Sequence, residues 1–299
     1  ESPSMSTHPN PVTPTNSDET TVKKKLGVGF WLCVAWLGLM AFIALFTPLL
    51  PLKSPTQNFL DTANGRPPYS PSWKHWFGTD KDARDVFART LHGARISLAV
   101  GFAAISAGFL VGGTVGVISG YFKGWIDRVS SFVFIVLLSF PSLVLAILLT
   151  SLIERSLLTI SLVLGLLSIA PVGRLARAAT LQFADREFVL AARQIGATNR
   201  RIIIKEILPN VAIPMSSLAL LGMAVAVVAE GGLSFLGLSV EKGITWGGLI
   251  QLGSESSKTL EEAPWIAFFP ILMLFLTVLS LNFAGDRVRN YFDVKETTL

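Results

Sequence analysis

Charge is the scarcest property of this sequence. Asp, Glu, Lys and Arg make up only 15% of its 299 residues, against 51% apolar residues. A water-soluble domain carries about 25% charged residues. So few charges cannot cover the surface of such a chain against water, and lipid is expected to face much of it. Cysteine is nearly absent as well. Cys33 stands alone, which excludes an internal disulfide and says nothing about compartment. His8, His75 and His92 all lie outside the long apolar runs. His75 and His92 read as solvated or interfacial side chains, and no ligand spacing suited to zinc occurs. The phosphate-binding pattern G-x-x-x-x-G-K-[ST] is missing, so the chain is not expected to hydrolyse ATP. No paired acids and no Ser–His set lie within the apolar runs, which argues against an intramembrane enzyme. The net charge of +5 does not call for nucleic acid, because the basic residues flank the apolar runs.

Those runs are what the sequence has in abundance. About 20 helical residues cross the hydrocarbon layer. Six spans are expected, at 27–50, 95–119, 129–152, 157–175, 211–232 and 264–284. The fourth is the weakest, being short and containing Pro171. Helices satisfy their backbone polar groups internally, and stretches such as Phe132–Leu149 lack the alternation of a β-barrel strand. The fold class is therefore an all-α integral membrane protein. Its expected organisation is a disordered polar tail (1–24), a first span (25–50), an extracytoplasmic segment (51–94), a core of spans two to six (95–285) with a polar loop at 176–209, and a C-terminal tail (286–299). Lys23-Lys24-Lys25 precedes a first run too long for a signal peptide, so it reads as a retained anchor with both termini cytoplasmic. Fifteen Lys and Arg then fall inside and ten outside. Seven of the ten lie between Lys53 and Arg95, where the positive-inside rule loses force.

Within the spans, Gly108, Gly112, Gly116, Gly120 and Gly124 recur every four residues, with Ala104 continuing the row. Residues four apart share a helix face, and a row of small residues lets a second helix come close. The row is expected to be a packing seam rather than a sliding contact. Pro141 is expected to kink the third span. Glu230 is the ionisable residue deepest in an apolar run. Such residues are expensive in a membrane; it lines a pathway, or it sits in a polar turn beside Gly231 and Gly232 with its charge solvated. Segment 233–262 is too polar to cross again and is expected to re-enter in part on the outer side. The aromatics and mixed charges of 51–94 either meet a partner protein or anchor at the interface.

The most informative stretch is polar and basic, and reads FADREFVLAARQIGATNRRIIIKEILPN from Phe183 to Asn210. Asp185 is the expected cap of a short helix carrying Phe188, Ala191, Ala192 and Ile195. Gly196 ends that helix. Asn199 is the expected cap of a second helix with Ile203 and Ile207, and Pro209 marks the return to the membrane. A helix–Gly–helix of this kind docks a soluble partner, or rests on lipid headgroups; the residues alone do not separate the two.

This stretch resembles the cytoplasmic loop of ABC-importer permeases, with Ala191-Ala192, Gly196 and Leu208-Pro209 at the family's positions. Leu190 stands where the family often has Glu, and Glu206 where it often has Ile. From Trp76 to Asp293 the chain resembles the dipeptide and oligopeptide branch. Gly78-Thr79-Asp80, Arg84-Asp85, Gly93-Ala94-Arg95, Gly120-Tyr121-Phe122, Phe140-Pro141, Ser234-Phe235-Leu236-Gly237-Leu238, Ala263-Pro264-Trp265 and Gly285-Asp286 occur in order. Ala83 replaces a usual Gly, and Val294 a usual Pro. The resemblance implies a type I importer permease fold and the transport of dipeptides or oligopeptides. It implies a second, non-identical permease subunit, P-loop ATPase subunits that hold ATP and Mg, and an extracytoplasmic solute-binding protein, in the cell membrane of a prokaryote. It places the ATPase-docking coupling loop at Glu187, Phe188, Leu190, Ala191, Ala192, Ile195, Gly196, Leu208 and Pro209, with no cofactor or metal bound by this chain. A stand-alone secondary transporter or channel is the alternative, though no internal repeat is visible.

Overall fold

The computed structural model describes residues 27–60, 65–238 and 240–296. The expected tail at 1–24, including Lys23-Lys24, lies outside the described residues. The helices are α1 (Gly27–Phe46), α2 (Val86–Phe122), α3 (Gly124–Ser139), α4 (Ser142–Leu152), α5 (Leu157–Ala184), α6 (Glu187–Gln194), α7 (Asn199–Phe235), α8 (Trp246–Ser254), α9 (Ser257–Glu262) and α10 (Trp265–Glu296). Among the described residues the one strand-like pairing is an isolated bridge between Thr79 and Asp85.

Five helices, α1, α2, α5, α7 and α10, are long and apolar enough to cross a membrane. The third expected span is the pair α3 and α4, bent by 83°. The cause is local: a residue before proline is pushed out of the helical region. Phe140 takes φ −88° and ψ 134°, and Pro141 opens the next helix. Several expected ends move outward. The second helix starts at Val86, so residues 86–94 of the expected extracytoplasmic segment are helical. The supposedly weak fourth span runs on to Ala184 despite Pro171. Residues 286–296 of the expected C-terminal tail are helical and continue α10.

The start of α2 is tied down by the segment before it. Asp85 caps the helix, its Oδ1 accepting from the Ala88 N–H at 2.9 Å. Its Oδ2 meets His75 Nδ1 at 2.8 Å and Lys53 Nζ at 3.3 Å. Of the two readings the sequence left open for His75, solvated or interfacial, the solvated one falls: it is buried and paired. Asp80 pairs with Arg89 of α2 and accepts from the Arg84 N–H at 2.9 Å. Ala83, where the family usually has glycine, takes a left-handed φ of +58°, a conformation in which a side chain is disfavoured and glycine is not.

The glycine row faces α5. A Cβ added at Gly108 would lie 2.6 Å from Ser168 Cβ. At Gly116 it would lie 2.8 Å from Ala176 Cβ, and at Gly120 2.8 Å from Thr180 Cβ. At Gly112 it would run into the Ile169 backbone. The two helices approach nearly backbone to backbone, which dispersion rewards. Gly124 leaves the row: it sits at φ +61° in the turn into α3, with open space around it.

Around this seam, α2, α5 and α7 form the centre. Val100, Ala104, Ile160, Leu164, Ala226 and Leu233 fill one layer. α1 lies outside, held by Trp36 Nε1 to Thr277 Oγ1 of α10 at 3.2 Å. Met40 is its one buried residue, as suits a helix mostly wrapped by lipid. α8 turns back into the bundle. Trp246 is fully buried and donates to the Thr90 carbonyl at 2.9 Å; an added Cβ at Gly247 would meet Ser234 Cβ at 2.6 Å.

Candidate functional site

The polar loop is shorter than expected. Residues 176–184 belong to α5 and 199–209 to α7, leaving α6 and two short connections between them. The capping also differs. Asp185 ends α5, while Arg186 is the N-cap of α6. Asp185 instead pairs with Lys123 Nζ at 2.7 Å, at the end of α2. Thr198, not Asn199, caps α7, its hydroxyl accepting from the Arg201 N–H at 3.4 Å. Thr198 lies one residue ahead of Asn199 and caps through the same geometry.

Gly196 ends α6 as its position suggested, at φ +81°. The Ala197 N–H donates to the Ala192 carbonyl and the Gly196 N–H to the Arg193 carbonyl, both at 3.0 Å. This crossed pair satisfies carbonyls that a helix end leaves open. Gly196 is therefore needed for its backbone conformation, whatever docks beside it.

α6 has two faces. Val189 and Ala192 point inward, onto a cluster with Phe183, Ala184, Ile202 and Ile207. Glu187, Phe188, Leu190, Ala191, Ile195 and Gly196 are exposed. Ile195 is 82% exposed, unusual for an isoleucine beyond the spans. Leu208 and Pro209 lie apart from this face, exposed along α7. The candidate residues thus divide: an exposed edge on and just after α6, the inward Ala192, and the Leu208-Pro209 pair in the next helix. Pro209 does not start that helix. It follows a π turn at Ile203–Ile207, which relieves the clash of a proline ring with the preceding turn. A second π turn lies at Phe109–Gly113 of α2. Both border one apolar cavity of about 610 Å³ between α2, α5 and α7, with Arg200 in its wall.

Tyr121 is the residue sequence reasoning missed. Its hydroxyl donates to Asn199 Oδ1 at 2.8 Å, and the Arg193 guanidinium lies 5.2 Å from its ring centre. With the Lys123–Asp185 pair, these contacts fasten both ends of α6 to the end of α2. On the α3 side, Arg177 of α5 pairs with Asp127, Nη2 to Oδ2 at 2.8 Å. The signal in the sequence was the Gly120-Tyr121-Phe122 element, whose tyrosine had no assigned task. α6 is thus a short exposed helix held to the ends of three central helices.

Glu230 lies far from this loop. It is 1% exposed and within α7, not in a solvated turn. Its Oε2 accepts from Ser97 Oγ at 2.8 Å and its Oε1 from Ser234 Oγ at 2.6 Å. Ser97 in turn accepts from the Trp246 N–H at 3.2 Å, and Ser234 accepts from Thr245 Oγ1 at 3.1 Å. The carboxyl group is the shared acceptor that joins α2, α7 and α8. Such a buried network is costly when incomplete and specific when satisfied. Among the described residues no group of His, Cys, Asp and Glu converges as a metal site.

Comparison with known proteins places this geometry. A family described as the binding-protein-dependent transport system inner membrane component matches residues 112–296. The dipeptide transport system permease protein DppC of Alkalihalophilus pseudofirmus is 37% identical over 254 residues, covering 85% of this chain and 81% of the relative. A putative peptide permease of Brucella suis is 38% identical over 225 residues, covering 75% and 74%. The glutathione transport system permease GsiD of Pectobacterium atrosepticum is 34% identical over 226 residues, covering 75% and 74%. Among solved structures, a chain of the inward-facing MetNI methionine ABC transporter superposes with a TM-score of 0.55 at 21% identity, covering 69% of this chain and 96% of that one. The chain has the type I importer permease fold, and it belongs to the family of binding-protein-dependent inner membrane transport components, the membrane-spanning permease subunits of ABC importers.

Proposed function

We propose that this chain is one permease subunit of an importer for dipeptides or oligopeptides, and that the exposed edge of α6 docks a partner ATPase. The observation that carries the docking reading is the clamped lever. Phe188, Leu190 and Ile195 present apolar surface outward, while Tyr121, Asn199 and the Lys123–Asp185 pair bind α6 to the helices it would move. A push on this edge passes into α2, α5 and α7 through these contacts and two short connections. ATP and Mg belong to the ATPase in this scheme, and the permease carries no catalytic step. ATP binding shifts the spans between inward-open and outward-open arrangements by favouring one of them.

The peptide class rests on the relatives, which are named for dipeptides, peptides and glutathione. A second, non-identical permease completes the pathway, and an extracytoplasmic binding protein delivers the solute. The loop end of the bundle carries Lys123, Arg128, Arg174, Arg177, Arg186, Arg193, Arg200 and Arg201, which supports a cytoplasmic loop and both termini inside. The membrane is the inner or plasma membrane of a prokaryote.

The test is purification of the chain in mild detergent with mass spectrometry of what stays bound. A stoichiometric P-loop ATPase and a second permease are expected. Ala191→Arg, on the exposed edge, should release the ATPase while the chain's thermal unfolding stays unchanged. If the chain purifies alone and moves solute in liposomes without ATP, it works as a secondary transporter and the reading falls.

A further inference from the structure

At the end of the bundle opposite the loop, residues 240–245 pass beside the first turns of α2. A cavity lies on each side of them, and Gly243 and Ile244 wall both. In the smaller one, about 310 Å³, the charges are matched. Arg89 pairs with Asp80, and Glu255 with Lys81 at 2.8 Å.

The larger cavity, about 750 Å³, is different. Arg95 of α2 and Lys242 line it, and neither has an ionic or hydrogen-bonding partner among the described residues. The one acid in its wall, Glu241, is already taken. Its Oε1 accepts from Arg155 Nη2 at 3.1 Å and Nε at 3.3 Å. His92 turns Nδ1 to the Ala88 carbonyl at 2.8 Å, and its Nε2 has no hydrogen-bonding partner among the described residues. The spacing is systematic: Arg95 follows His92 by three residues, close to the same face of α2. Ile96, Ala99 and Leu157 supply apolar wall between the charges. Two unspent cations beside apolar surface, in a volume typical of small-molecule sites, suit an anionic group carried on an amphipathic body. A guanidinium offers a planar fork matched to a carboxylate.

Resting on the reading of the chain as a peptide importer, we infer that Arg95 and Lys242 receive the C-terminal carboxylate of the peptide as it enters from the outer side. The apolar wall then takes the neighbouring side chains without selecting among them. The peptide's positive amino end stays away from this cavity, so the site also sets which end enters first.

The experiment uses the whole reconstituted complex with its binding protein, and a dipeptide in two forms, free acid and C-terminal amide, both held by that protein. Initial ATP-driven uptake is measured for wild type, the double variant Arg95→Gln with Lys242→Gln, and the charge-keeping double variant Arg95→Lys with Lys242→Arg. Comparing acid-to-amide ratios between permeases cancels the binding protein's own preference. The neutral double variant should raise the KM for the acid on the order of tenfold and leave the amide nearly unchanged, while the charge-keeping variant should retain most of the preference. An unchanged ratio in a neutral variant that melts like wild type overturns the site. Equal slowing of both peptides, with loss of anionic lipid from the purified complex, overturns it in favour of a lipid headgroup. If wild type itself shows no ATP-driven peptide uptake, the importer reading fails and the site falls with it.

Discussion

Replacing Gly112 by alanine puts a methyl group where α2 meets the backbone of α5. The new Cβ would lie 2.9 Å from the Ile169 carbonyl carbon and 3.0 Å from its Cα, with the oxygen nearer still, whereas ordinary contact begins at 3.4 Å. The obstacle is backbone, so no rotamer change relieves it. The helices must part by ~0.5–1 Å, which also loosens the contacts at Gly108 and Gly116. Alanine gains about 1 kcal/mol of helix propensity over glycine. Overpacking a tight contact costs about 1–3 kcal/mol, and backbone obstruction puts this site at the upper end. The net expectation is a loss of roughly 1–2 kcal/mol. Gly113→Ala is the control next door: its nearest neighbour would be Val172 Cγ1 at 3.9 Å, so it gains propensity without a clash. Thermal unfolding of the purified protein in one detergent should rank Gly112→Ala below wild type and Gly113→Ala at or above it. Equal melting of the two variants would refute the close seam.

Tyr121→Phe removes one hydrogen bond to Asn199 but keeps the ring under Arg193. It should cost about 0.5–1.5 kcal/mol, read as faster hydrogen exchange confined to 186–198, while Tyr121→Ala should loosen that segment further. Glu230→Ala leaves the Ser97 and Ser234 hydroxyls buried without their acceptor and should destabilise by about 1–3 kcal/mol. Glu230→Gln keeps an acceptor, should melt closer to wild type and should transport normally; a transport loss without a stability loss would make Glu230 a pathway residue. The exposed Glu255 carboxyl is held below the usual glutamate range by the hydrogen bond and charge of Lys81. A depressed carboxyl pKa stabilises the folded state above the ordinary value, and that contribution is lost as pH falls through the depressed one. Hydrogen exchange around residues 81–85 should therefore rise on acidification through that window, and Lys81→Gln should remove the dependence.

Features that depend on spacing along one helix were visible before the fold. The four-residue glycine row, the break at Phe140-Pro141 and the stop at Gly196 need only local geometry. What stayed hidden depended on partners far along the chain. Residues 86–94 fell outside the expected second span, and they carry Arg89 and His92. Asp80 neutralises the first and the Ala88 carbonyl occupies the second, so the helix bears them. Glu230 read as a pathway or turn residue because Ser97, which meets it, is 133 residues away. Lys123 and Asp185, 62 residues apart, explain why Asp185 leaves the cap to its neighbour. In the loop, the pattern located α6 but could not tell its exposed edge from the inward Ala192.

The π turn before Pro209 makes residue count a structural quantity. Ile202 and Ile207 are five apart, yet both are fully buried on the same side. In a plain α-helix five residues advance about 140° past a full turn, which would swing one of them outward. The wide turn absorbs that excess and keeps both in phase. Pro209 comes thirteen residues after Gly196, and that count sets how α6 sits on the bundle. Inserting one further residue among Ile203 to Ile207 would exceed what the wide turn absorbs and rotate the base of α6 by about 100°, with every side chain of α6 still present. The direction in which α6 faces is set by length, and a scan that exchanges side chains one at a time would not detect it.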